Sequence, residues 1–122
     1  MSSHPIVHIE IAAKDPAAAS KFYADAFGWK IEVDQHFDYH MFAAEGGPGG
    51  GFNKVDGKQN KVGDIIPYID CDDIDASLKK IESLGGKTLQ GKTEIPGMGW
   101  FAFFADPTGN RMALYTAMQM QR

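Results

Sequence analysis

The chain is written twice, and this repeat restricts its possible folds more than any other feature. Each half opens with a short apolar run, passes an acidic helix start and ends a helix at glycine. The first copy is IVHIEIAAKDPAAASKFYADAFGWKI and the second IIPYIDCDDIDASLKKIESLGGKTL. Asp73 follows Asp15 by 58 residues, and Gly86 follows Gly28 by the same 58. A fixed period marks two similar supersecondary units. A unit of about 60 residues has a marginal core on its own. The two copies are therefore expected to form a single domain over residues 1–122, with repeats at about 5–55 and 64–118, or to share a core with a second chain.

Within each copy the pattern predicts the element order. Residues 6–12 alternate, with Ile6, His8, Glu10 and Ala12 on one face and Val7, Ile9 and Ile11 on the other, as in a strand with one apolar face. Asp15 and Pro16 have the chemistry of an N-cap and a first helical residue. Ala19, Phe22, Tyr23, Ala26 and Phe27 follow at helical spacing, and Gly28 sits where a left-handed C-cap belongs. Strands are expected near 29–34, 39–44 and 51–55, with EGGPGG (45–50) as a turn and DGKQNKVG (56–63) as the connection between copies. The second copy predicts a strand at 65–70, weakened by Pro67, and a helix capped by Asp72-Asp73. That helix has Leu78, Ile81 and Leu84 on its apolar side. Strands at 87–93, 100–105 and 110–117 complete it. Each copy thus reads β-α-β-β-β, an α+β arrangement with mainly antiparallel strands.

Several functions are disfavoured. A net charge of −4, with basic residues scattered along the chain, does not suit a nucleic-acid partner. No apolar stretch is long enough to span a membrane, and the N-terminus lacks the features of a signal peptide. Cys71 is the single cysteine, so no internal disulfide is possible and a cytoplasmic location is expected. Two acids beside Cys71 would raise its thiol pKa, so it is not taken as a nucleophile. His36 and His40 fall on a turn and strand, where four residues span roughly 13 Å, too far to share a metal. GGPGGG (46–51) lacks the helix context and lysine of a phosphate cradle.

Together, HIEIAAKD with His8 seven residues before Asp15, the helix ASKFYADAFGW, the second opening CDDIDASLKKIESLGG and the closing FFADPTGNRMALY resemble the vicinal oxygen chelate superfamily. That superfamily includes glyoxalase I, bleomycin-resistance proteins and extradiol dioxygenases. The resemblance covers nearly the whole chain. It implies tandem βαβββ units whose curled sheets form a cleft, completed in small members by homodimerisation. It also implies four metal ligands on the first and last strands of the units, His or Gln early and Glu late. His8 matches the first. The repeat puts Ile66 at the second early position and Ala113 at the second late one. The first late ligand falls near 50–53, which is Gly-Gly-Phe-Asn. Ile and Ala donate no electron pair, and a metal needs three or four protein donors. No metal and no other cofactor is therefore expected.

The expected ligand-binding residues are His8, Glu10, Tyr68, Met98, Trp100, Arg111 and Tyr115. His8 and Glu10 are the catalytic candidates, a polar pair two apart on one strand face that is expected to sit at a partly hydrated cleft edge. Their structural alternative is mutual neutralisation, or pairing of Glu10 with Arg111. Tyr68, Arg111 and Tyr115 follow from strand alternation. Met98 and Trp100 follow from a Gly-rich approach (PGMG) to an aromatic strand. The expected function is binding of a small organic molecule in a dimeric cleft. The alternative is a lyase, isomerase or dioxygenase-type enzyme using His8 and Glu10 or an atypical metal site.

Overall fold

A computed structural model describes residues 2–118, which form two compact units. Residues 7–66 make one and residues 67–118, with the N-terminal residues 2–6, the other. Both follow β-α-β-β-β, the α+β order expected from the repeat. Among the described residues no helix is long and apolar enough to cross a membrane.

The first copy contains β1 (Ile6–Ala13), α1 (Pro16–Phe27), β2 (Lys30–Asp34), β3 (Tyr39–Ala43) and β4 (Gly49–Lys54). Its strands lie side by side in the order β2-β3-β4-β1, with β1 parallel to β4 and the other pairs antiparallel. Helix α1 begins where Asp15 accepts from the Ala18 amide and Pro16 needs no partner for a missing N–H. It ends at Gly28, whose φ of 74° lies in the left-handed region and whose N–H reaches Ala24 O at 2.8 Å. The core is largely aromatic. Tyr23 stacks on Trp29 with centroids 5.1 Å apart, and Trp29 stacks on Phe42 at 4.6 Å. Ile9, Ile11 and Ala13 of β1 pack on this side, so His8 and Glu10 project from the opposite face.

Two expectations for this copy are corrected. Phe22, Ala26 and Phe27 do not join the buried side of α1: Phe22 is 60% and Phe27 64% exposed, whereas Ala19 and Tyr23 pack inward. The helical stripe is narrower than the apolar residues that seemed to define it. Strand β4 also starts at Gly49, inside the stretch read as a turn, because its glycines pair with β1.

The second copy contains β5 (Ile65–Asp70), α2 (Ile74–Ser83), β6 (Lys87–Ile95), β7 (Gly99–Ala105) and β8 (Arg111–Ala117). Here β5 runs parallel to β8, β8 antiparallel to β7, and β7 antiparallel to β6. Pro67 is accommodated because the β5–β8 pairing begins at Tyr68. Asp73 caps α2 by accepting from Ala76 N. Ile74 and Leu78 are buried in a core with Cys71, Ala102, Phe104 and Leu114. Leu84, expected on the buried stripe, is exposed instead, because α2 ends at Ser83 and Leu84 is already its cap.

Candidate functional site

The site is built on the face of the first copy's sheet that α1 leaves uncovered. Glu10 is 5% exposed although it carries a carboxylate. A buried carboxylate requires donors, and two converge on it. Tyr39 donates its hydroxyl to Glu10 Oε2, and His8 Nε2 lies against the same oxygen. His8 Nε2 is also 3.1 Å from the Tyr39 hydroxyl. The other carboxylate oxygen, Oε1, is buried without a hydrogen-bond partner among the described residues. The His8 side chain is 32% exposed and that of Glu10 only 6%, so the carboxylate is the deep member and the imidazole the accessible one.

An ionised carboxylate can only accept, so toward it the imidazole presents an N–H at Nε2. The arrangement sets an accessible imidazole against a buried carboxylate, the geometry in which an acid orients a neighbouring base.

Tyr39 was not singled out in the sequence, and its reach depends on β4. In the strand order β3-β4-β1, Tyr39 and Glu10 stand on strands that are not neighbours. Gly51 of β4 is the direct partner of Glu10. A Cβ on Gly51 would lie 1.9 Å from the Tyr39 hydroxyl oxygen and 2.1 Å from its ring carbon Cζ. The tyrosine therefore crosses β4 over a position that lacks a side chain. The signal available in the sequence was a glycine run ahead of Phe52 in an otherwise strand-like stretch.

The same register locates the positions at which the resemblance expects metal ligands. Gly51 pairs with Glu10 in the first copy as Ala113 pairs with Tyr68 in the second, and Tyr68 follows Glu10 by the repeat offset of 58. The four positions are thus His8, Gly51, Ile66 and Ala113. Ile66 is 3% and Ala113 0% exposed, both apolar and packed. Among the described residues, no three His, Cys, Asp or Glu side chains gather as a metal site. The residues present do not fit the metal that the resemblance implies.

The second copy groups other candidates. On the face of its sheet opposite α2, Tyr68 meets the Phe103 ring edge-on at 6.2 Å, and the Arg111 guanidinium lies 5.4 Å over that ring. Phe101 meets Phe103 at 5.3 Å, a neighbour the sequence offered only as part of an aromatic run. Tyr115 donates its hydroxyl to Met98 O at 3.2 Å. Trp100 lies apart from these: it packs against the α2-side core, with Lys92 Nζ 5.0 Å from its ring centroid. Strand alternation separates Trp100 from Phe101 and Phe103.

Comparison with known proteins places these observations in a family. The family model described as Glyoxalase/Bleomycin resistance protein/Dioxygenase superfamily matches residues 5–114. A glyoxylase-like domain-containing protein of Didymella fabae is 34% identical over 88% of this chain and 90% of its own length. The anthracycline biosynthesis protein DnrV of Streptomyces peucetius is 27% identical over 87% of this chain, which spans only 44% of DnrV. Methylmalonyl-CoA epimerase from Mycobacterium tuberculosis shares the fold with a TM-score of 0.70 at 16% identity, covering 98% of this chain and 93% of that one. The chain belongs to the glyoxalase/bleomycin resistance protein/dioxygenase superfamily.

Proposed function

We propose that the protein holds a small organic molecule in a cleft completed by a second copy of the chain, without a divalent metal. The observation that carries this reading is the fate of the ligand positions. Of His8, Gly51, Ile66 and Ala113, only His8 has a donor side chain, while a polar His8–Glu10–Tyr39 cluster occupies the sheet face beside it. Tyr68, Arg111 and Tyr115, on the uncovered face of the second copy's sheet, and Met98 beside Tyr115 would add apolar and polar contacts. A second reading, an enzyme of the superfamily using His8 and Glu10 as an acid–base pair, is favoured by one specific contact, that of the imidazole on the buried carboxylate.

The test pairs metal analysis of protein purified without a histidine tag with a thermal-shift screen of small metabolites. The expected result is substoichiometric Zn, Ni, Fe and Mn, together with at least one stabilising compound. A compound at a hundredfold its Kd stabilises by about 2.7 kcal/mol, which a melting curve resolves. Stoichiometric, tightly held metal would overturn the metal-free reading.

A further inference from the structure

We propose that the outer edge of β2 is a self-complementary docking surface for a second molecule of this chain, and that the charge of Glu32 holds the two apart. The proposal is independent of the cleft and of its ligand. The strand order leaves two outer edges, β2 in the first copy and β6 in the second, neither with a further strand beside it among the described residues. An open edge presents unpaired N–H and C=O groups to any matching strand. The two edges are built differently. Strand β6 shifts its register on β7 twice, between Thr88 and Gln90 and between Gln90 and Thr93, and such irregularities spoil an edge for pairing. Strand β2 keeps an unbroken register on β3 from Lys30 to Asp34. The β6 edge is blunted by its backbone, the β2 edge only by its short length and its side chains.

Those side chains read Lys-Ile-Glu-Val-Asp. When the strand pairs antiparallel with itself in a continuous sheet, residues on the same face stand opposite each other. Of the registers that satisfy this, only the one centred on Glu32 pairs all 5 residues of the strand. It sets Lys30 opposite the partner's Asp34 at both ends, which is a complementary pair. The Asp34 carboxylate is held in place by the His36 amide, 3.0 Å from its Oδ1. The same register sets Ile31 opposite the partner's Val33 on the other face. Ile31 packs on the core of the first copy and Val33 is 41% exposed, so this pair would extend an apolar floor across the contact. One pair opposes the rest. Glu32, exposed and opposite Met41 on β3, would face the partner's Glu32 on the two-fold axis, and like charges directly opposite are destabilising. A single carboxylate thus guards an edge that otherwise matches itself.

The test measures self-association of the full chain by sedimentation equilibrium, always relative to wild type. A wild type already paired through another face gives the same answer, because a contact at β2 doubles whatever mass it starts from. Glu32→Thr removes the guarding charge and keeps a strand-forming residue, and should tighten association at least ~10-fold. Adding Lys30→Asp sets like charges at both ends of the ladder and should reverse the gain. Adding Asp34→Lys to Glu32→Thr instead should reverse it too. Mixed in equal amounts, these two double variants carry opposite charges at both ends and should associate with each other. Asp34→Lys also loses the bond to the His36 amide, so a melting curve is recorded for each variant. If Asp34→Lys does not fold, Lys30→Asp decides the result, since Lys30 makes no side-chain bond among the described residues. Glu32→Thr associating no more tightly than wild type, association that survives Lys30→Asp, or two folded double variants that ignore each other would each overturn the proposal.

Discussion

At the scale of single residues, Glu10 is the most informative side chain. Strand alternation in IVHIEI put it beside His8 on the face away from the apolar side, and the contact between them is present. The degree of burial was not legible. The pair was expected at a partly hydrated edge, yet Glu10 is 5% exposed. Tyr39 escaped notice because its partnership crosses an intervening strand, and sequence spacing carries no information about strand order. The depth difference sets an asymmetric expectation for the two alanine variants. Removing Glu10 leaves the Tyr39 hydroxyl and the His8 Nε2–H without their shared acceptor and opens a small void, at a cost of about 2–3 kcal/mol. Removing His8 leaves Glu10 still bonded to Tyr39, and water can reach the vacated, partly exposed place, so the cost is about 1 kcal/mol. Denaturant melts of Glu10→Ala and His8→Ala check the order. The larger loss in His8→Ala would mean that the imidazole, not the phenol, is the main support of the buried carboxylate. Both variants should lose the thermal shift given by any compound the wild type binds.

At the scale of elements, the parts that were legible are those whose chemistry is local. Asp15 and Asp73 cap their helices through amides three residues on, and Gly28 takes its left-handed cap. What stayed hidden depends on tertiary partners. The glycines of β4 are strand residues only because β1 and β3 pair with them. Phe22 and Phe27 have helical spacing but face outward. The turn between β7 and β8 shows local chemistry strong enough to titrate. Asp106 accepts from the backbone amides of Thr108 and Asn110, each at 2.9 Å, and from the Thr108 hydroxyl at 2.8 Å. Hydrogen bonds from the Asn110 amide and the Thr108 hydroxyl favour the charged form and lower its pKa from 3.8 to about 2. A depressed folded pKa stabilises the fold above the unfolded value and loses that contribution as pH falls from 3.8 toward about 2. Carboxyl NMR titration should therefore find Asp106 among the most acidic groups. Asp106→Ala should lower the melting temperature at neutral pH and flatten its fall between those two pH values. An ordinary Asp106 titration would contradict the hydrogen-bonded turn.

At the scale of the whole molecule, duplication explains why the site is unequal. The two copies share helix N-caps and strand order, and the register of β1 on β4 matches that of β5 on β8, so equivalent positions can be compared directly: His8 with Ile66, Glu10 with Tyr68, Gly51 with Ala113. The first copy places a polar cluster on its uncovered sheet face, and the second places aromatic rings and a guanidinium on its own. A ligand that needs both kinds of contact would have to meet both kinds of face. In a superfamily built from such units, the proposed arrangement is a pair of chains. Phe22, Phe27, Phe37, Val62 and Leu84 are all more than half exposed and would be available to a second copy. Covering them would recover apolar burial that units of this size lack. The expectation is a homodimer with closed two-fold symmetry. Light scattering at micromolar concentration should give twice the 13.3 kDa chain mass, and dilution should lower the melting temperature, since subunit association contributes stability by mass action. A mass of 13.3 kDa with a concentration-independent melting temperature would show that the exposed phenylalanines serve something other than a second copy, and it would remove the dimeric cleft from the proposed function.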